Sequence, residues 1–158
     1  YNKVMKNTKG FTLMELLVVI GIIGLLAAVI IGSLQSGRDK SVDAAIKSSL
    51  VNARTQAQLF YDKNTSSYGT TTSSCSASVG TVFADPTIAA QIVQVDNQNG
   101  STANSISCSS NGGSFAIASV LKTDATKAYC VDGNNTGKII TITTGDAATA
   151  INVSSNCN

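Results

Sequence analysis

The apolar residues of this chain concentrate in one run near its start. Between Phe11 and Ile31, 17 of 21 residues are apolar, and no polar side chain occurs from Leu16 to Ile31. As a helix rising about 1.5 Å per residue, the run would extend roughly 31 Å, which matches the hydrocarbon core of a bilayer. The run therefore predicts a membrane-spanning helix.

After this run the helical period continues, but the apolar face narrows. No proline interrupts the segment from Phe11 to Asp62, and polar or charged residues occupy the other faces of its second half. We predict one helix of about 50 residues, apolar all round and then amphipathic, which Asn64 closes in a left-handed conformation. The apolar stripe of the second half recurs at steps of three or four residues: Val42, Ile46, Leu50, Ala53, Ala57 and Phe60.

The remaining residues predict a short helix and a small sheet. Residues 65–81 include 11 Ser or Thr, which is typical of a surface loop. Asp85-Pro86 is expected to begin a helix through residues 87–95, and residues 96–113 are expected to form a polar loop. The predicted fold class is α+β, with the amphipathic half of the long helix packed on an antiparallel sheet. Strands are predicted at 115–121, 127–132 and 138–144, the last two as a hairpin, with a weaker strand at 147–153.

The position of the charges is more informative than their sum. The chain has 11 basic and 9 acidic side chains, a net charge of +2. Lys3, Lys6 and Lys9 precede the apolar run without an acidic residue, and positive charge there holds that end in the cytoplasm. Without those three, 8 basic and 9 acidic side chains remain. The basic character therefore indicates topology, and no direct nucleic-acid binding is expected.

Glu15 is the single glutamate of the chain, and it lies inside the apolar run. A carboxylate costs about 2.5–3.5 kcal/mol at a membrane centre and less near the interface, where snorkelling or protonation would accommodate it. The chain has no histidine, which excludes imidazole-based triads and His-ligated metal sites. We expect no catalytic residues, no cofactor and no metal, and therefore no enzyme.

The start of the chain resembles type IV prepilins and the related pseudopilins. The resemblance is strongest over residues 5–40 and centres on Lys9–Ile20, KGFTLMELLVVI. In those families a membrane peptidase cuts after the last Gly of a basic leader and usually N-methylates the new terminus. A glutamate five residues into the mature chain then pairs with the terminal amine of a neighbouring subunit. The resemblance implies cleavage between Gly10 and Phe11, methylation of Phe11 and assembly through Glu15.

The same resemblance implies an organisation and a role. Residues 1–10 would be the leader, residues 11–37 the membrane and filament-core half of the stem, and residues 38–158 the head. A single-pass precursor in the cytoplasmic membrane would be cut by the prepilin peptidase. The inner-membrane pilus assembly machinery would then add it to copies of itself in an extracellular pilus. Adhesion, motility and DNA uptake stay open as roles, and a minor pilin or a pseudopilin of a type II secretion-like system is the alternative.

A plain membrane anchor or a secretory signal peptide would account for less of the pattern. Either would explain the apolar run but not Gly10-Phe11 together with Glu15. Many type IV pilins carry a proline about where Gly32 stands, so flexibility of the stem is expected from glycines instead. Met5 would begin a compact leader, which suggests that residues 1–4 are a fragment edge or a start-site error.

Four cysteines follow the apolar run, and they would lie in an oxidising compartment. Four cysteines allow three pairings; sequence order favours Cys75–Cys108 with Cys130–Cys157, and free buried thiols are the alternative. Near the hairpin, Asp132, Asn134 and Asn135 could bind Ca²⁺, but the spacing is not that of an EF-hand. We expect these three residues to form the turn instead.

Overall fold

The computed structural model describes residues 10–76 and 78–158, so most of the expected leader lies outside the described residues. The chain divides after Gly37 into two compact units. The first element, α1 (Leu13–Lys63), contributes to both. The head then contains a 3₁₀ turn (Val82–Ala84), α2 (Pro86–Asn99), β1 (Ile106–Ser110), β2 (Phe115–Val120), β3 (Lys127–Asp132), β4 (Gly137–Thr141) and a 3₁₀ helix (Ala147–Ala150).

The four strands form one antiparallel sheet in the order β1-β2-β3-β4. The central strand β2 is buried along its whole length, because successive side chains point into two different cores. Phe115 and Ile117 belong to the core that contains α1, while Ala116 and Ala118 belong to a smaller core with Ala147 of the second 3₁₀ helix. A long helix on a small antiparallel sheet confirms the predicted α+β, pilin-like class.

The predicted apolar stripe of α1 supplies one wall of the main core. Four of its members, Ile46, Leu50, Ala53 and Ala57, are fully buried, and Val42 and Phe60 pack against them. The period of three and four places these side chains on one face of the helix. The opposing wall comes from α2 and the sheet: Ile88, Ile92, Val95, Phe115, Ile117 and Val131.

Two of the predicted secondary-structure assignments are wrong. The expected loop over residues 96–113 contains the end of α2 and the whole of β1 (Ile106–Ser110). Because β1 consists mostly of small polar residues, its sequence does not indicate a strand. The segment forms a strand through its pairing with β2. The weaker strand expected at 147–153 begins instead as a 3₁₀ helix, whose first turn is capped by Asp146 accepting from the Ala148 N–H at 3.0 Å.

The prediction for the end of α1 is wrong in one detail, whereas the prediction for the start of α2 is confirmed. After α1, the left-handed residues are Thr65 and Ser66, at φ 52° and 58°, and not Asn64 as expected. The start of α2 is as predicted: Asp85 caps it, accepting from the Thr87 and Ile88 N–H groups, with proline at the first helical position. Hydrogen bonds led by the one from the Thr87 hydroxyl lower the pKa of Asp85.

A buried carboxylate fastens α1 to the turn between β2 and β3. Asp43 is 5% exposed and accepts from the Lys122 N–H at 2.5 Å and from the Thr123 N–H at 3.3 Å. The Thr123 hydroxyl donates to the same carboxylate. Because buried amide groups need partners, Asp43 fixes the position of the turn relative to the helix.

Replacing this carboxylate is expected to destabilise the head. Asp43→Ala leaves two backbone donors without their acceptor, which costs about 1–3 kcal/mol. Urea unfolding of the full chain in detergent, followed by the fluorescence of its four tyrosines, measures the change. Asp62→Ala, which removes an exposed carboxylate from the same helix, is the matched control and should change the free energy of unfolding by less than about 0.5 kcal/mol. Equal effects of the two variants would contradict the role of Asp43.

Two disulfides join separate segments of the head. Cys75 is joined to Cys108 and Cys130 to Cys157, the pairing that sequence order favours. The second bond ties the last residues of the chain to β3. Asp132 strengthens this junction, because its Oδ2 accepts from the Cys157 N–H at 3.1 Å.

Each disulfide is expected to raise the stability of the head. The two links span 33 and 27 residues, for which loop-closure entropy gives about 3–4 kcal/mol each. We expect the Cys130→Ser, Cys157→Ser double variant to lose about this free energy of unfolding in the same urea experiment. Adding a reductant should lower the stability of the wild-type chain more than that of the variant, and equal losses would contradict the expectation.

Candidate functional site at the start of the stem helix

The first half of α1 exposes its apolar side chains on every side. From Phe11 to Leu34 the large hydrophobic residues are between 47% and 85% exposed, whereas the apolar stripe of the head is buried. Among the described residues, α1 is the one helix that is long and apolar enough to cross a membrane, judged by length and composition. Water is a poor solvent for such a surface, so this part of the chain needs lipid or protein around it.

The helix begins two residues beyond the expected cleavage position. Gly10, Phe11 and Thr12 are not helical, and α1 starts at Leu13. Phe11 is 85% exposed, and the space that a side chain would occupy at Gly10 is open. The Gly10–Phe11 bond is therefore in an accessible, non-helical segment.

Thr12 and Glu15 bind each other in a reciprocal cap at this helix start. The Thr12 N–H donates to Glu15 Oε2 at 2.9 Å, and the Thr12 hydroxyl donates to the same oxygen at 2.9 Å. In return the Glu15 N–H donates to Thr12 Oγ1 at 3.2 Å. This is the geometry of a capping box, in which the N-cap residue and the residue three positions later each satisfy a backbone N–H of the other.

The cap gives Glu15 a partner within its own chain. A negative side chain in the first turn also interacts favourably with the positive end of the helix dipole. The carboxylate is thereby held at the end of the stem where the expected new terminus would lie. Thr12 is not among the site residues predicted from the sequence, although the Thr-x-x-Glu spacing is the signal for a capping box.

The candidate Ca²⁺ ligands in the head have a different role. Asp132 is 2% exposed, and its Oδ1 accepts from the N–H groups of Asn134 and Thr136, each at 3.0 Å. Asn134 donates its side-chain amide to Asn156 at 3.0 Å. These bonds build the β3–β4 turn. Over residues 10–76 and 78–158, no group of three or more His, Cys, Asp or Glu residues lies close enough together to hold a metal ion.

A cleft of about 430 Å³ lies between α1 and the same turn. Its one charged lining residue, Arg54, donates to the carbonyl oxygens of Asn135 and Thr136 at 3.0 and 3.2 Å. The guanidinium group therefore serves to fasten the turn to the helix. The other residues that line the cleft are Thr55, Gln58, Gly133 and Asn135, a set that contains no nucleophile paired with a base.

A family model matches the start of the chain, and a known protein matches part of it. The family model of the prokaryotic N-terminal methylation motif matches residues 5–31. The chain is 44% identical, over 64 residues, to the type IV wide pilus major component PilA4 of Thermus thermophilus. That alignment covers 40% of this chain and 48% of the relative, so the chain spans about half the length of the curated relative that it matches. No solved structure matches the chain significantly.

The motif covers Gly10 and Phe11, which precede the exposed apolar helix, and Glu15, which lies in its first turn. The head beyond that helix has the pilin-like α+β arrangement. The chain therefore carries the N-terminal methylation motif of prokaryotic prepilins on a pilin-like α+β fold, and part of it is homologous to a type IV pilin.

Proposed function

We propose that this protein is a structural subunit of a type IV pilus-like filament. The precursor inserts in the cytoplasmic membrane through the apolar half of α1, with its basic leader in the cytoplasm. The prepilin peptidase cuts between Gly10 and Phe11 and methylates Phe11, and the pilus assembly machinery then moves the stem from lipid into a filament of identical stems. The observation that carries the proposal is an exposed apolar helix with the methylation motif at its start.

The exposed stem supports assembly because its apolar surface is uniform. Lipid can cover it in the membrane, and copies of the same helix can cover it in a filament. Because removing apolar surface from water contributes about 25 cal/mol per Å², a helix with more than a dozen exposed large apolar residues needs cover from either lipid or other stems. The head meanwhile has its own cores and can remain at the filament surface.

The proposed contact between subunits is an ion pair in this apolar environment. Cleavage would leave a positive α-amine at Phe11, and Glu15 is the one acidic residue within residues 11–37. In a core of packed stems each charge offsets the cost of desolvating the other, and the pair sets the axial register between neighbours. Removing one partner leaves a buried unpaired charge, at a cost of about 3–5 kcal/mol.

A pilus subunit is favoured over a secretion pseudopilin by the relative. The Thermus thermophilus protein is a major component of a type IV wide pilus, and part of it aligns with this chain at 44% identity. On this basis we expect abundant extracellular filaments. A secretion defect with little or no extracellular filament would indicate a pseudopilin, and a low copy number within filaments would indicate a minor pilin.

The proposed cleavage of the precursor predicts a single N-terminus for the mature protein. The mature protein isolated from cells should begin at methylated Phe11, because the Gly10–Phe11 bond lies in an accessible non-helical segment at the start of the motif. N-terminal sequencing and intact-mass measurement test this. A chain that begins beyond Ile31 would indicate a signal peptide, and a chain that keeps its leader would indicate a plain anchor; either result would exclude the proposal.

Filament assembly tests the role of Glu15. In Glu15→Ala cells we expect at least about a hundredfold less protein in sheared surface filaments, in line with the cost of an unpaired buried charge. Electron microscopy and quantification of the sheared fraction measure the loss. Asp62→Ala, which removes an exposed carboxylate from the head part of the same helix, is the matched control and should assemble normally. Filaments that persist unchanged in Glu15→Ala would overturn the proposed ion pair.

A further inference from the structure

The sheet of the head has an open edge at β4. Bonded residues alternate with outward-facing residues along an antiparallel ladder. Thr136 and Ile142 take part in bonds to the neighbouring strand at the two ends of β4, so Ile139 and Thr141 direct their N–H and C=O groups away from the sheet. The strand is exposed along most of its length. Such an edge is a template for pairing with another strand.

The opposite edge, β1, is open over part of its length. Bonds at both ends of the β1–β2 pair set the same alternation, which directs the backbone groups of Ile106, Cys108 and Ser110 outward. Thr72 pairs with Ser110. Ile106 and Cys108 instead line a cleft of about 330 Å³. This part of β1 is therefore accessible to a further strand.

The two edges carry opposite charges on the same face of the sheet. Lys138 of β4 is exposed and lies opposite Cys130, which belongs to the smaller core. Asp146 lines the cleft beside β1 and precedes the 3₁₀ helix that packs in the same smaller core. Among the residues that the structure describes, neither Lys138 nor Asp146 has an ion-pair partner. Each edge thus presents one charge that the other edge can neutralise.

The two charges also lie at a similar level along the strands. One cross-strand row crosses the sheet at this level: Ser107, Ala118, Cys130 and Lys138. Ser107 and Asp146 line the same cleft. Neighbouring strands lie about 4.8 Å apart, which is within the reach of a lysine side chain. A second head beside the first would therefore bring its Lys138 to Asp146.

We propose that neighbouring heads in the filament meet edge to edge, with β4 of one subunit beside β1 of the next and Lys138 paired with Asp146. The inference rests on the proposed filament function and adds a contact between heads to the contact between stems. Subunits joined by the same stem contact point the same way. In that orientation β4 and the neighbour's β1 run antiparallel, as adjacent strands do within each head. Because the contact joins two different surfaces, it repeats from subunit to subunit without closing on a pair.

The charges make this pairing selective. A lysine on an edge strand opposes pairing with an edge that offers no acid, and complementary charges fix the register of the edges that do pair. Asp146 keeps its role within the head, because its Oδ1 accepts from the Ala148 N–H at 3.0 Å. A carboxylate can accept on both oxygens, so Oδ2 receives the ammonium group of the neighbour.

Carbodiimide cross-linking of intact sheared filaments tests the contact, because it joins a lysine amine to a carboxylate that touches it. We expect covalent dimers and longer species in which peptide mass spectrometry finds Lys138 linked to Asp146. The same subunits dispersed in detergent should lack this link. Lys127 and Asp124, which pair within one head at 3.0 Å, are the internal control and should link in both samples.

Substitutions of Lys138 test what the contact contributes to assembly. The measurement is filament protein in the sheared fraction per mole of processed subunit in the membrane. Lys138→Arg keeps the charge and should assemble within about twofold of wild type, but without the cross-link. Lys138→Glu sets two carboxylates against each other and should lose at least about fivefold, the factor expected for one exposed ion pair. Lys127→Glu reverses the charge of another exposed lysine of the sheet and should assemble within about twofold.

The outcomes separate this contact from the filament function. Filaments that give the Lys127–Asp124 link but join Lys138 to a different carboxylate, or to none, would overturn the inference and leave the filament function intact. Normal assembly of Lys138→Glu would do the same. A Lys138–Asp146 link in detergent-dispersed subunits would place the contact within one head and would also overturn it. Absence of filaments from wild-type cells would remove the proposed function and this inference with it.

Discussion

An apolar helix surface that its own chain does not bury is the constraint on which the rest of this protein depends. The large hydrophobic residues between Phe11 and Leu34 are about half exposed or more, and the folded head has separate cores. Such a surface is stable in lipid or against other apolar helices, and it is unstable in water. A carboxylate at the start of that surface adds a second requirement, because it must be partnered wherever water is excluded.

The head is organised around the second half of the same helix. One face of α1, with Ile46 and Leu50 at its centre, meets α2 and the sheet. The connections at the edges of this core are polar. Asp43 holds the β2–β3 turn, Asp132 holds both the β3–β4 turn and the last residues, and Arg54 fastens that turn to the helix. Disulfides supply further restraint in a head whose loops contain many small polar residues.

Some elements are predictable because their signals are local. The helical period of α1, the Asp-Pro start of α2 and the turn residues between β3 and β4 each act within a few residues along the chain. β1 has no such signal, since Ile106–Ser110 contains three serines and becomes a strand only through its pairing with β2. The 3₁₀ helix at Ala147–Ala150 likewise depends on the small side chains beneath it, because three alanines of the sheet leave room for it.

The sequence by itself determined the apolar stem, the amphipathic half of the helix and the α+β class, because these depend on periodicity and hydropathy along the chain. The site residues Gly10, Phe11 and Glu15 are predictions from the resemblance to prepilins. The tertiary structure decided which residues serve as partners. Asp132 accepts from the N–H groups of Asn134 and Thr136, and the buried carboxylate of Asp43 holds the β2–β3 turn. The pairing of Thr12 with Glu15 depends on both kinds of information. The spacing of the two residues is visible in the sequence. Only the distances in the folded helix start show that both donors of Thr12 meet one carboxylate oxygen, because hydrogen bonding depends on geometry that residue order does not specify.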